Sequence, residues 1–211
     1  MKKFYTIIIL CIFITSCNNR FKNDREAIQV FKDTMGNELV QTLDVISKNV
    51  DSVLVETYKT KNVDVAYLKF LEYLISSPTE YSLQITNEKV TELLNKFELN
   101  SYRQEVWNIE KVNKIDVLST NLTGKFLNAM QKIDTLDCQA KGYFDTRSIA
   151  GMPSYSLMAK HIIDKNLDLD NYLIKTIIVS DFFYFVLQST NYNRITKGET
   201  IEKKIKENLK K

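Results

Sequence analysis

The sequence is poor in the residues that interrupt helices. Its 211 residues include five glycines and two prolines. So few helix-breaking residues over such a length favour long helices over an architecture of strands and turns. We therefore expect an all-α fold, a single domain over residues 26–211 built as an irregular multi-helix bundle of about seven or eight helices.

The sequence also has few of the residues that metal sites and nucleophiles require. It has one histidine, His161, and three cysteines, too few for the usual zinc sites. Oxygen ligands alternate along Asp164–Asp170 as in a calcium loop, but Leu169 and Lys175 occupy the places of its glycine and closing glutamate. The chain contains neither a Gly-x-Ser-x-Gly elbow nor a phosphate-binding glycine loop. We therefore predict no metal site, no non-covalent cofactor and no catalytic residue, which disfavours an enzyme.

The charge is nearly balanced. Lysine and arginine number 29 and the acidic residues 26, giving a formal net charge of +3. Nucleic-acid-binding domains carry a basic patch or a strongly basic balance. The composition therefore predicts no nucleic-acid partner.

The first residues have the pattern of a secretory signal. Met1-Lys2-Lys3 is followed by the apolar run Phe4–Ile14, which only Thr6 interrupts. A transmembrane helix needs about 20 apolar residues, so this run is too short to span a bilayer. A basic start and a short apolar run before small residues indicate a removable signal peptide. A buried N-terminal helix or strand is the alternative, which the lack of a polar face disfavours.

The run ends in Ile14-Thr15-Ser16-Cys17. This resembles the bacterial lipobox, in which an aliphatic residue and two small residues precede a cysteine. The resemblance implies that residues 1–16 are removed and that Cys17 carries diacylglycerol on its thiol and an N-acyl group, the only cofactor-like groups expected. It also implies that residues 17–25 are a polar tether and that the domain is anchored to membrane lipid on the periplasmic face. Asn18 follows the cysteine, and in that family the absence of aspartate there favours the outer membrane over the inner membrane.

The remaining cysteines follow from this resemblance. Cys11 would leave with the signal peptide and Cys17 would carry lipid. Cys138 would then have no intrachain partner, although an oxidising compartment would permit a disulfide. We expect it to be an inert thiol.

Apolar residues at helical spacing predict most elements of the domain. A long helix begins near residue 26, bends near Gly36 and ends near Lys61, although Val53–Val55 also fits a strand. Ser101 and Gln104 have the spacing of a capping pair that opens a short helix carrying Trp107. The further predicted helices cover residues 65–75, 87–97, 118–133, 154–165, a central buried helix at 168–188, and a last helix from Thr196.

The segment 142–153 is the candidate binding loop. It combines glycines with Tyr143, Asp145 and Arg147, and it lies close to Tyr155. Loops held on a rigid scaffold often carry function. A plain connection between two helices is the alternative.

Asp181 is an acidic residue in the most apolar helix, within Ile177–Phe183. An unpaired carboxylate is costly to bury. One interpretation is a structural ion pair or hydrogen bond, with Arg147 or a tyrosine as partner. The other is an acid of raised pKa or a group that binds a ligand, acting with Tyr143, Asp145, Arg147 and Tyr155.

Three functional hypotheses follow. The first is a non-enzymatic interaction or accessory lipoprotein of the cell envelope that binds a partner protein. The second is a lipoprotein that binds a small ligand or glycan through residues 142–155 and Asp181. The third is a hydrolase, which would need Asp181 and Asp145 about 5–10 Å apart across a cleft.

Overall fold

A computed structural model describes residues 24–77, 81–112, 115–151 and 154–208. The predicted signal peptide, the lipobox and Cys17 lie outside these described residues. The described chain is helical apart from one two-stranded sheet, so the predicted all-α class is confirmed. The elements are, in order, α1 (24–35), α2 (Asn37–Thr57), α3 (Val63–Ser76), α4 (Asn87–Glu98), a 3₁₀ turn (Leu99–Ser101), α5 (Tyr102–Val106), β1 (Trp107–Val112), β2 (Ile115–Thr120), α6 (Lys125–Lys132), α7 (Cys138–Ala150), α8 (Tyr155–Asp164), α9 (Tyr172–Ile177), a π-helical segment (Ile178–Phe183) and α10 (Tyr184–Asn208).

The first predicted long helix is two helices. Gly36 separates α1 from α2 with φ 84° and ψ 152°, a backbone conformation that only glycine adopts readily. The predicted apolar stripe runs through both helices and is buried, from Phe31 in α1 to Val50 in α2. The residues proposed as a possible strand, Val53–Val55, belong to α2, which ends at Thr57 rather than near Lys61.

A β-hairpin replaces two predicted helical stretches. Trp107 was expected in a short helix and Leu118 at the start of a long one, but β1 and β2 pair antiparallel with Trp107 opposite Thr120 and Ile109 opposite Leu118. The strands are rich in β-branched residues, which fit a pleated surface better than a helix. The predicted helix 118–133 is therefore wrong at its first turns, and α6 covers only Lys125–Lys132.

The predicted binding loop is also largely helical. α7 covers Cys138–Ala150, so most of the segment 142–153 is not a connection. Two of the side chains that α7 buries are Tyr143 and Arg147, four residues apart. These residues share one face of the helix. Because both carry polar groups, the sequence shows no apolar repeat that would indicate this buried face.

The central helix is longer than predicted. It begins at Tyr172, where the side chain of Asn171 accepts hydrogen bonds from the backbone of the first turn, and not at Asp168. α9, the π segment and α10 then form one continuous helix from Tyr172 to Asn208, which we call the rod. A separate helix starting at Thr196 is wrong, because this hydroxyl donates to the carbonyl of Tyr192 inside the helix at 3.0 Å.

The rod is the centre of the hydrophobic core, as predicted. The ring of Phe183 in the π segment lies 5.9 Å from that of Phe70 in α3, and Tyr184 lies 4.6 Å from Phe97 in α4. The stretch Tyr172–Thr196 is long and apolar enough to cross a membrane by composition, but 78% of its apolar window is buried inside the fold. This burial is typical of the core helix of a globular domain.

Candidate functional site

A carboxylate in the rod is the centre of a buried polar cluster. Asp181 lies in the π segment and is 0% exposed. Tyr143 of α7 donates its hydroxyl to Oδ2 at 2.8 Å, and Tyr155 of α8 donates to Oδ1 at 3.0 Å. The Nε of Arg147, one turn after Tyr143, lies 3.3 Å from Oδ2. We call these four residues the Asp181 cluster; it joins α7 and α8 to the rod.

The guanidinium of Arg147 is held by charge and by an aromatic ring. Its central carbon lies 4.2 Å from the ring centre of Trp107, and Nη1 donates to the carbonyl of Gly151 at 3.4 Å. Among the described residues, Nε and Nη2 have no partner with hydrogen-bond geometry, so the contact of Nε with Asp181 is an ion pair. A desolvated cation over tryptophan gains about 2 kcal/mol, which helps to offset the cost of burying this charge.

The π segment is fixed by side chains from α5 and β1. The indole Nε1 of Trp107 donates to the carbonyl of Ser180 at 3.0 Å. The hydroxyls of Tyr102 and Ser180 lie 2.6 Å apart. A π-helical turn is rare and frequently marks a functional position in a helix. Here it lies directly at Asp181, and its contacts also orient the ring on which Arg147 stacks.

The protonation equilibria favour a structural network. Burial raises the pKa of Asp181, whereas the charge of Arg147 and the hydrogen bonds from Tyr143 and Tyr155 lower it. Burial also raises the pKa of both tyrosines well above the ordinary value. Both phenols therefore keep their protons and act as hydrogen-bond donors to the carboxylate, and they are not bases at neutral pH.

The structure brings together four of the five predicted ligand-binding residues. Asp181, Arg147, Tyr143 and Tyr155 are 0%, 1%, 2% and 4% exposed. Asp145 is not part of the cluster, because its side chain is 48% exposed and pairs with Lys141 at 3.2 Å on the surface of α7. Trp107, Ser180 and Tyr102 complete the surroundings and were not predicted. Their partners are distant in sequence, and a spacing pattern gives no signal for such contacts.

An open pocket lies beside the cluster, between α7, α8 and α9. Its volume is about 630 Å³, within the range of about 300–1,000 Å³ that is usual for ligand pockets. Tyr143 belongs both to the Asp181 cluster and to the wall of this pocket, which we call the α7–α8 pocket. His161, the single histidine, also lines it. The apolar wall is formed by Leu157, Met158, Ile162, Leu167, Ile174 and Ile177.

The described residues contain no group of three His, Cys, Asp or Glu side chains placed to hold a metal ion. No protein-family model, curated protein or solved structure matches this chain.

Proposed function

We propose that this chain is the precursor of a membrane-anchored lipoprotein that faces the periplasm and acts by binding rather than by catalysis. The observation that favours binding over catalysis is the burial of the Asp181 cluster. Its carboxylate is 0% exposed and its charge is balanced by Arg147. A general acid or base must come within hydrogen-bond reach of its substrate, which a sealed carboxylate does not.

The anchor rests on the lipobox resemblance at Ile14–Cys17. Two or more acyl chains give stable attachment, whereas one chain binds only reversibly. Wild-type protein made with radiolabelled palmitate should carry label and fractionate with membranes, the outer membrane more than the inner. Cys17→Ser should lose both the label and the processing. Cys138→Ser is the matched control, and it should keep them. Unchanged label in Cys17→Ser would refute the anchor.

The partner is proposed to be another envelope protein, with this chain as an accessory subunit. A short tether keeps the domain near the membrane, since the seven residue-to-residue steps from Cys17 to Asp24 span at most about 25 Å. Mild lysine crosslinking of intact envelopes, followed by purification of the lipoprotein, should recover one partner in fixed stoichiometry. Recovery of the uncrosslinked lipoprotein alone in repeated trials would count against this role.

A second candidate is a small-ligand-binding lipoprotein, and the α7–α8 pocket is the observation that favours it. Its wall includes Tyr143 but none of Asp145, Arg147, Tyr155 or Asp181. A ligand there would contact mainly apolar side chains, so the pocket suits an apolar ligand better than a glycan. Binding of such a ligand should be lost when the pocket is filled and retained when Asp145 is changed.

A further inference from the structure

We propose that the α7–α8 pocket binds one fatty-acyl chain of a bilayer phospholipid. This inference deepens the second candidate function and rests on the proposed membrane anchor. The occupant is identified by two features of the structure, the chemistry of the wall and the exposed apolar residues beside it, and by the length of sequence between Cys17 and the domain.

The wall is chemically suited to hydrocarbon. Leu157, Met158 and Ile162 of α8 line the pocket together with Ile174 and Ile177 of α9. A sugar or a peptide bound there would lose water from its polar groups with few partners in exchange, which is unfavourable. An acyl chain has no such groups. Because it already lies in hydrocarbon within the bilayer, the favourable contribution is the removal of the apolar pocket wall from water.

Apolar side chains are exposed at the pocket. Leu157 lines the pocket and is 68% exposed, and Ile149, three residues after the lining residue Thr146 on α7, is 86% exposed. Exposed apolar residues next to an apolar groove enlarge its apolar surface, and large apolar surfaces mark sites of interaction with ligands, proteins or membranes. On an anchored protein they can enter the boundary between headgroups and acyl chains.

The charges next to the pocket do not favour recognition of a phosphate group. Lys141 and Lys160 precede the lining residues Gly142 and His161. Each lysine pairs with an aspartate four residues later, at 3.2 Å. The chain rather than the headgroup is therefore the part of the lipid that the pocket selects.

The pocket lies within reach of the bilayer. Cys17 and Asp24 are separated by at most about 25 Å of extended chain, and Asp24 to Phe31 is about 10 Å along α1. The ring of Phe31 lies 6.0 Å from Phe126, which lies 6.2 Å from Tyr143 in the pocket wall. A chain of ring contacts thus links α1, which follows the tether, to the wall of the pocket.

Photolabelling tests the proposal. The lipidated protein is reconstituted in vesicles of phosphatidylethanolamine and phosphatidylglycerol that contain a trace of phosphatidylcholine with a diazirine in one acyl chain. After illumination, peptide mass spectrometry should place the label at Leu157 or Met158. Gly142→Phe should lower this label by at least about tenfold. The Cβ position of residue 142 has no other side chain within 4 Å, so a larger side chain can be accommodated there.

Ser148→Phe is the matched control, because it adds the same ring at an exposed position of α7 outside the pocket. It should keep the label and, like Gly142→Phe, keep the helical circular dichroism of the wild type. Equal labelling of Gly142→Phe and wild type would overturn the proposal. Equal labelling of Leu122, an exposed residue elsewhere, would also overturn it by showing unspecific contact with lipid. A label that appears only in Cys17→Ser would show that the protein's own acyl groups fill the pocket, which also contradicts it.

A second measurement separates failure of the pocket from failure of the anchor. Full-length Cys17→Ser protein is titrated with cis-parinaric acid, a fluorescent fatty acid, with and without the two phenylalanine substitutions. An affinity about tenfold weaker with Gly142→Phe, and unchanged with Ser148→Phe, would support the pocket even if Cys17 bears no lipid. Equal affinities would exclude the pocket without affecting the palmitate-labelling result.

Discussion

Removal of Arg147 should destabilise the protein strongly. Arg147→Met leaves the carboxylate of Asp181 buried, with only the hydroxyls of Tyr143 and Tyr155 as partners. Breaking a buried ion pair from one side costs about 3–5 kcal/mol, a large part of the usual 5–15 kcal/mol stability of a domain. We expect the free energy of unfolding to fall by that amount. Asp181→Asn should cost about as much, because the charge of Arg147 then lacks its partner.

The double variant Arg147→Met/Asp181→Asn should be more stable than either single variant. It removes both charges and retains an amide that can still bond to the tyrosine hydroxyls. The two single losses should therefore sum to at least about 2 kcal/mol more than the loss in the double variant. Asp145→Asn is the control on the same helix. Its pair with Lys141 is exposed, so this change should cost less than about 0.5 kcal/mol.

Urea unfolding followed by the fluorescence of Trp107, the single tryptophan, measures these differences. The pH dependence has a definite sign. Arg147 is the largest influence that lowers the pKa of Asp181 against the effect of burial, so its loss raises this pKa further. The pKa of Asp181 in the folded variant is then higher than the value of about 3.9 for an aspartate in the unfolded chain. A rise in pH therefore favours the unfolded chain. The deficit of Arg147→Met should therefore be smaller at about pH 4 than at about pH 7. Additive losses, or a deficit independent of pH, would refute the buried ion pair.

Three further predictions concern the backbone and the π segment. Gly36→Ala should destabilise the protein by about 1–3 kcal/mol, because only glycine adopts the backbone conformation there readily. Gly142→Ala, inside α7, should stabilise it by about 0.5–1 kcal/mol. In thermal unfolding, the first variant should have a lower melting temperature than the wild type and the second a higher one. Trp107→Phe should cost about 2–4 kcal/mol in urea unfolding followed by circular dichroism, since it leaves a carbonyl of the π segment without its donor and weakens the contact with Arg147. Thr190→Val should cost about 1–3 kcal/mol by the same measurement, because its hydroxyl accepts a buried hydrogen bond from the backbone N–H of Leu83 at 2.9 Å.

The helices that were predicted correctly are those with apolar side chains on the buried face. The stripe from Phe31 through Leu43 and the run around Phe182 repeat at three or four residues, and each repeat reports directly which side is inside. The low glycine and proline content indicates the fold class, because few residues interrupt the helices. Cys17 stays a prediction, since the described residues begin after it.

The elements that the sequence does not predict are of two kinds: a helix that buries polar side chains, and two short strands. α7 turns Tyr143 and Arg147 inward, so its buried face looks hydrophilic in sequence. In β1 and β2 the alternation is brief, and the partner strand supplies the missing information about register. The break at Gly36 was foreseen only as a bend, because a single glycine is compatible with both outcomes.

The binding residues illustrate what spacing can and cannot reveal. Asp181 was selected because a charge in an apolar helix needs a partner, and the structure provides Arg147 and two tyrosines, as the structural interpretation expected. The pocket could not be inferred, since it is the space left where helices from separate parts of the chain fail to meet. Its apolar wall is indistinguishable in sequence from core, because both consist of the same side chains at the same spacing.

Tyr143 connects the stability of the fold to the shape of the pocket. Its hydroxyl is held by Asp181 at 2.8 Å and its ring lies 6.2 Å from that of Phe126, at 90°. The hydrogen bond and the ring contact both restrict rotation of the Tyr143 side chain. We therefore expect this part of the pocket wall to be in place before a ligand binds. A preformed wall lowers the ordering cost of binding. In the proposed binding role, the buried charges at Asp181 and Arg147 act indirectly, because Asp181 holds the hydroxyl of Tyr143 and neither charged residue lines the pocket.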